Sequence, residues 1–376
     1  MSELKVETIA AGDENGNHMM IRWRLPSGLE VISLPTKNFY GGEWDLGPTW
    51  NFLVLADRPF LIDAGRFGRT EDLLRMLARV GLKGQDLEFI VLSHGHEDHD
   101  GGAAEFSKRF GTPIKSHPIY EKRIRFYPDL APAGARPDFP AACWHCFMPE
   151  SFSRANCLTY HQDRGSMPVT VVEDNGEVAP GVSALHVPGH SPDSLALVVG
   201  TEAIFSGDVV LPEITPFPTT EKHFTQEKAV LGDEFGIENK VFGLKVFLGS
   251  LARLKKLGQE HPDLAVFPAH RFFYGNKWND LNLVERIDGI LSHHLDRGGD
   301  ILKILSAGPH TARELTVRHF RPDQLQGLGV LMAENEIVSH LELMQGLGDI
   351  ARSEDGRYRL SGNGNGFAAL LESALA

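Results

Sequence analysis

The sequence predicts an α/β fold with a helical C-terminal unit, and three observations carry that expectation. Short, wholly apolar runs such as Phe89-Ile90-Val91-Leu92 have the length and composition of buried strands. Between residues 60 and 114 such runs alternate with a stretch of helical period, the pattern of strands laid parallel in one sheet. From about residue 283 onward the strand pattern gives way to helical spacing.

Taken in order, Gly28 to Leu34 alternates in strand fashion. Trp50 to Leu55 leads through the turn Ala56-Asp57-Arg58-Pro59 to Phe60-Leu61-Ile62-Asp63, completing an early β-meander. Asp63-Ala64-Gly65 closes it, a pattern that on its own signals a turn. Thr70 to Val80 reads as a helix, with Thr70 as its cap, Asp72 in its first turn, and Leu73, Leu74, Leu77 and Val80 on one face. After the strand at Phe89 to Leu92 comes His94-Gly95-His96-Glu97-Asp98-His99, then a short helix from Ala103 to Phe110 that stops at Gly111. Thr112-Pro113-Ile114 opens a further parallel strand. Residues 115–170 are rich in proline and aromatics with little periodicity, as expected of an insertion or active-site lid.

The chemistry concentrates at strand ends. His94 and His96, two apart in extended chain, can point to one side and share an ion, whereas the adjacent Asp98 and His99 must diverge towards a second ion or another face. So many polar groups beside a buried strand would be costly without a partner, and the spacing suggests two metals. Three later apolar runs end likewise: one on Pro188-Gly189-His190, one on Ser206-Gly207-Asp208, one on Pro268-Ala269-His270. Open α/β sheets place their sites above such strand ends. A second candidate is Cys143-x2-Cys146-x10-Cys157-x3-His161, which holds all 3 cysteines of the chain in a spacing suited to a structural zinc. Free buried thiols or a disulfide are the alternatives, the latter disfavoured in a cytoplasmic protein.

The tail predicts three helices and a hairpin. Leu283, Ile287, Ile290 and Leu291 begin a helix that runs on to Ile301–Leu305 and breaks at Gly308-Pro309. Thr311-Ala312-Arg313-Glu314 is a capping-box match opening a second helix to about Phe320, and a third runs from about Leu325 to Gly346. Ile350-Ala351-Arg352 and Arg357-Tyr358-Arg359-Leu360 flank a turn, so the unit reads as winged-helix-like. Ser361 to Gly366, rich in Gly and Asn, reads as a flexible joint before a short final helix. We expect two units, residues 1–280 carrying the site and residues 281–376 forming the tail.

Composition bounds the rest. Hydrophobic and charged fractions of 42% and 23% are those of an ordinary globular protein. A net charge of −13 and a pI near 5.7 oppose non-specific attraction to nucleic acid or anionic membrane. From Asp300 to the end there are 7 Lys plus Arg against 10 Asp plus Glu, a net of −3. That favours a structural or homo-oligomer-forming tail over a nucleic-acid-binding one. No apolar segment reaches membrane-spanning length and the first residues lack an apolar signal core, so a cytoplasmic protein is expected.

His94-x-His96-x-Asp98-His99, Pro-Gly-His190, Gly-Asp208, Pro-Ala-His270 and the earlier Leu-Ile-Asp63-Ala-Gly together resemble the metallo-β-lactamase-fold hydrolase superfamily, over roughly residues 20 to 275. The resemblance implies an αβ/βα sandwich with a dinuclear site along one edge. Carried over by position, His94, His96 and His190 would hold one metal, Asp98, His99 and His270 the other, Asp208 would bridge them, and Asp63 would orient the ligands from behind. The tail resembles the winged-helix appendage of the lactamase-β-like branch, which includes endoribonucleases. The complete ligand set with bridging Asp208 is similar to that of glyoxalase II, the lactonases and the metallo-ribonucleases. It departs from zinc β-lactamases, which generally carry Cys or Ser where Asp208 stands.

Hydrolysis is therefore expected. Two divalent ions, zinc first with iron and manganese admissible for this thiolate-free set, would hold a bridging hydroxide, with Asp98 aiming it. Where relatives commonly follow the last ligand histidine with a small turn, this chain has Arg271-Phe272-Phe273-Tyr274. With His223, residues Arg271, Phe273 and Tyr274 are candidate pocket walls for a small ester, thioester or lactone carrying an anionic group. The alternatives are an endoribonuclease or phosphodiesterase, and a non-catalytic ligand-binding protein.

Overall fold

The structure is a computed structural model of the chain and describes residues 4–38, 44–125, 157–327, 329–362 and 364–375. Its first sheet has eight strands in sequence order among the described residues: β1 (Lys5–Ala10), β2 (Met20–Arg24), β3 (Glu30–Thr36), β4 (Thr49–Leu55), β5 (Phe60–Ile62), β6 (Ile90–Val91), β7 (Ile114–Ser116) and β8 (Val169–Val171). The meander expected from Gly28 starts earlier, at Lys5, and pairs antiparallel as far as β5. From β5 to β8 the pairing is parallel, so the sheet is mixed. Helices α1 (Thr70–Arg79), α2 (Glu97–Asp100), α3 (Ala103–Phe110), α4 (Pro118–Arg125) and α5 (Cys157–Gly165) fall between its later strands.

The second sheet pairs β9 (Glu177–Ala179), β10 (Val182–His186), β11 (Leu195–Val199), β12 (Ala203–Gly207) and β13 (Ala265–Pro268), with β12 and β13 parallel. Helices α6 (Glu221–Phe235) and α7 (Leu244–Glu260) separate β12 from β13, and the hairpin of β14 (Phe273–Tyr274) and β15 (Lys277–Trp278) follows.

The layers follow from strand alternation. On β4, Trp50, Phe52 and Val54 face the second sheet, where Phe52 lies 5.1 Å from Phe205 and Phe205 stacks on Phe267 at 5.0 Å. Leu53, one residue out of phase, faces the other way onto Leu73 and Leu77 of α1 and Phe106 of α3. The result is helix, sheet, sheet, helix, the αβ/βα sandwich.

Helix α8 (Leu283–Leu305), α9 (Ala312–His319), α10 (Gly329–Gly346), the hairpin of β16 (Ile350–Arg352) and β17 (Tyr358–Leu360), and α11 (Gly366–Leu375) make up the tail. The Thr311–Glu314 capping box forms, each side chain meeting the other's backbone N–H. This tail has no core of its own: Ile287, Ile290, Ile337, Leu341 and Phe367 share one apolar cluster with Val209, Val210, Phe247 and Leu251 beside the second sheet.

Two local expectations are corrected. Thr70 does not cap α1; Arg69 holds the cap position and Thr70 is buried as the first helical residue. Residues 115–170 are not uniformly irregular, since β7, α4, α5 and β8 occupy their described ends, and the remainder of the expected lid lies outside the described residues. No described helix is long and apolar enough to cross a membrane.

Candidate metal centre

Strand ends bring the candidate residues together. Beyond β6 the chain stays extended through His96 and then winds into the single turn α2, which puts Asp98 and His99 on the same side as the histidines before them. His190 sits in the turn between β10 and β11, Asp208 immediately follows β12, and His270 lies two residues beyond β13.

Their inward atoms form two groups. His94, His96, His190 and Asp208 each offer a ligand atom within 4.8 Å of the others, and so do Asp98, His99 and His270. In the first group His96 Nδ1 lies 2.9 Å from His94 Nε2 and 3.2 Å from His190 Nε2. In the second, His270 Nε2 lies 3.2 Å and His99 Nε2 3.7 Å from Asp98 Oδ2. Asp208 spans both: Oδ2 is 3.5 Å from His190 Nε2 and 3.9 Å from His94 Nε2, while Oδ1 is 3.4 Å from both His99 Nε2 and His270 Nε2. Each carboxylate oxygen therefore serves a different group.

The outer ring nitrogens explain why the inner ones face the centre with lone pairs. His190 Nδ1 meets the Phe217 carbonyl at 3.2 Å and His270 Nδ1 the Pro48 carbonyl at 3.3 Å. A carbonyl only accepts, so in the neutral ring Nδ1 carries the hydrogen and Nε2 does not. His99 Nδ1 lies 2.8 Å from Asp63 Oδ2. Asp63 is itself fixed, with φ of 62°, by the backbone N–H of Ser93 at 2.7 Å and the Ser93 hydroxyl at 2.8 Å. Ser93 Oγ also reaches His94 Nδ1 at 3.1 Å.

The electrostatics are unbalanced as they stand. Burial and the neighbouring imidazoles push His94 well below the usual histidine range, and burial with His190 pushes His96 down to about 3. Burial alone would do the same to His270 and His99, but Asp208 and Asp98 outweigh it, driving His270 up to about 9 and His99 well above its ordinary value. Burial would raise Asp98 and Asp208, yet the facing imidazoles hold both below the carboxylate range. His99 Nε2, His270 Nε2 and Asp208 Oδ1 are buried with no hydrogen-bond partner. Such orphans are costly, and a cation at each group's centre satisfies them. Two ligand atoms on one tetrahedral ion, each about 2.1 Å away, sit about 3.4 Å apart, which is the spacing seen between these atoms. The residues fit a metal pair.

Several supporting residues were not among the candidates read from the sequence. Asn38 Nδ2 and Thr49 Oγ1 donate to Asp98 Oδ2 at 3.3 and 3.0 Å. Behind α2, buried Asp100 accepts from Tyr120 at 2.9 Å, Tyr160 at 2.5 Å and Arg164 at 2.9 Å, and Arg164 also donates to the Gly95 carbonyl at 3.2 Å. Arg123 joins Asp193, in the His190 turn, at 2.7 Å to Glu227 of α6, also at 2.7 Å. The crowding of carboxylates around Asp98 and the Asp193 three residues after His190 were the available hints.

The remaining candidates are placed otherwise. Arg271 donates to the Asp45 carbonyl at 3.0 Å and lies over the Tyr274 ring at 3.8 Å, while Tyr274 donates to Asp45 Oδ2 at 2.7 Å. Phe273 packs on Trp278 at 5.1 Å, and His223 closes the capping box of α6 through Thr220. Cys143 and Cys146 lie outside the described residues, as does the Cys157 side chain. His161 is on α5 with Nδ1 3.1 Å from Arg164, pushed down to about 3 by burial and by Arg164.

Comparison with known proteins gives a consistent picture. The family model described as the metallo-beta-lactamase superfamily matches residues 44–270. An N-acyl homoserine lactonase of Bacillus cereus is 26% identical over 244 residues, covering 58% of this chain and 80% of the relative. A metallo-beta-lactamase family protein of Thermus thermophilus superposes with a TM-score of 0.63 at 22% identity, over 88% of this chain and 98% of that one. A beta-lactamase domain protein of Burkholderia ambifaria does so at 0.61 and 19%, over 90% and 95%. The two structural likenesses extend the shared fold into the helical tail.

Proposed function

We propose, from the premise that this chain belongs to the metallo-beta-lactamase superfamily, that it is a metal-dependent hydrolase whose substrate is a small lactone or a related ester or thioester. The observation that carries the reading is Asp208, whose two oxygens divide between two histidine groups. The lactonases to which the chain is similar support the substrate class.

His94, His96 and His190 would hold one divalent ion, Asp98, His99 and His270 a second, with Asp208 shared. Zinc suits the imidazole-rich set, and iron or manganese suit it too. When bound, such a pair supplies a water deprotonated near neutral pH and Lewis acidity towards a carbonyl oxygen. The chain supplies the rest. Asp98, kept ionised by the facing imidazoles and tethered by Asn38 and Thr49, is a proton acceptor within the centre. Asp63 lies against His99 Nδ1, so in the neutral ring Nδ1 carries the hydrogen and the Nε2 lone pair faces the centre. Arg271 is taken up by Asp45 and Tyr274, which supports a role in shaping the site wall.

A phosphodiester substrate is less well supported. On the tail hairpin Arg357 is drawn onto Glu314 at 2.9 Å and Arg352 lies over the Tyr358 ring at 5.7 Å, so two members of its basic cluster are already partnered.

The test is a panel of small lactones, carboxylic esters, thioesters and single-stranded RNA offered to metal-loaded protein. Turnover of an acyl substrate that stops on chelation and returns with divalent metal is expected. Cleavage of RNA alone would replace the substrate class, and inertness of the fully loaded protein towards every member would favour a ligand-binding role.

A further inference from the structure

Two carbonyls that orient ligand histidines, Pro48 O and Phe217 O, lie on loops that the C-terminal helices hold in place. Pro48 belongs to residues 44–49. At the start of that loop Trp44 Nε1 donates to the Gln324 carbonyl of the tail at 2.6 Å, and its ring tilts against Phe320 at 6.2 Å. The approach is close enough that a Cβ on Gly329 would stand 2.4 Å from Trp44 Nε1. The same loop is tied to the residues after His270, since Asp45 accepts from Arg271 and Tyr274.

Phe217 lies in the second loop, residues 211–221, which the tail grips at both ends. Arg286 of α8 donates to the Leu211 carbonyl at 2.5 Å and the Ile214 carbonyl at 2.7 Å. Glu342 of α10 accepts from the backbone N–H of Glu221 at 3.0 Å. Between these grips, Thr219 donates through its backbone N–H and hydroxyl to the carbonyl of Gly189, the residue before His190, at 2.7 and 2.9 Å.

We infer that the C-terminal helices are a positioning element of the metal centre, with Trp44 acting on His270, and Arg286 and Glu342 acting on His190. One grip thus reaches each of the two histidine groups. The physical reason is that a carbonyl displaced by a few tenths of an ångström no longer fixes the ring that ligates, and losing such an outer partner typically weakens metal binding 10- to 100-fold. The inference rests on the dinuclear reading of the site.

The experiment measures zinc retention by the full-length, zinc-loaded protein in competition with a chelator, together with the absorption spectrum of the cobalt-substituted protein and its thermal midpoint. Trp44→Phe keeps an aromatic ring, though a smaller one, and removes the N–H. It is expected to leave one of two ions held about 10- to 100-fold more weakly, with an altered cobalt spectrum. Arg286→Gln, and separately Glu342→Ala, should weaken one ion to a similar degree, and the two effects should add when Trp44→Phe is combined with either. Arg313→Ala, which breaks only the exposed Arg313–Glu334 pair at 3.3 Å, should retain both ions as the parent does. Variants that melt earlier yet hold both ions with unchanged affinity and spectrum would overturn the inference and leave the tail a scaffold. A parent protein that takes up fewer than two ions would instead overturn the dinuclear reading on which it stands.

Discussion

Asp208 is buried, ionised, and placed so that each of its oxygens lies within 3.9 Å of two histidine nitrogens. Asp208→Ala therefore removes one ligand atom from each group and leaves five imidazoles facing each other with a single carboxylate. We expect the variant to bind at least one ion fewer per chain and to lose turnover by about 100-fold or more, measured by metal analysis and steady-state rates. The seven principal residues were legible in the sequence because few side chains ligate metals and these stood at the ends of apolar runs. Asn38, Thr49 and Ser93 were not, since a single hydroxyl or amide on a loop has no pattern until the fold brings it to a carboxylate. Arg271 stood beside a ligand in the sequence, but nothing there said that its guanidinium is held by the Asp45 carbonyl and the Tyr274 ring.

At the scale of the element, the single turn α2 is held from behind by Asp100, whose buried carboxylate has Tyr120, Tyr160 and Arg164 as partners. Burial raises the Asp100 pKa, and the Arg164 cation opposes that rise. Arg164→Ala would leave the carboxylate buried without a cation, a change that typically costs about 3 kcal/mol. A fall in the urea midpoint together with weaker metal retention is expected, and an unchanged midpoint would count against this role. Strands, α3 and the Thr311 box were readable from periodicity and capping chemistry. The Thr70 cap was not, because the helix begins one residue earlier than the capping pattern suggests, with Arg69 at the cap position and Thr70 buried as the first helical residue. Helix α5, which supplies Tyr160 and Arg164, lies in a stretch without helical period, so its contact with α2 is a product of tertiary structure.

Across the whole molecule, the tail is joined to the sandwich by a common apolar cluster and carries a buried polar network of its own. His294 Nδ1 and His340 Nε2 are 3.1 Å apart between α8 and α10, His340 Nδ1 donates to the Glu336 carbonyl at 2.7 Å, and Arg297 pairs with Glu336 and donates to His319 at 3.1 Å. His293 lies 3.4 Å from Glu336 and His319 3.6 Å from Asp300. Burial, reinforced by neighbouring rings and Arg297, pushes His294 and His340 well below the usual range and His319 down to about 4. The unfolded chain protonates these rings near pH 6.5, whereas the folded chain protonates His319 only near 4 and holds His294 and His340 neutral well below the usual range. The unfolded state thus binds more protons in that window, and stability falls as pH drops through it, by up to about 1.4 kcal/mol per unit for each ring. Urea midpoints between pH 7 and 5 should show this slope, and His340→Gln should flatten it; an equal slope in both proteins would contradict the assignment.

The order of helices and hairpin in the tail was visible from the sequence, but its fusion to the core was not. Amphipathic period shows that a face is buried without showing against what. The same gap separates the site from its substrate, for ligand residues announce a metal pair and the walls around it are ordinary loop residues. The most direct measurement of the central claim is a titration of metal-free protein with zinc while hydrolysis of an acyl substrate is followed. The rate should rise to a plateau at two equivalents per chain. A metal-free protein that already turns over at the plateau rate would contradict the dinuclear hydrolytic centre.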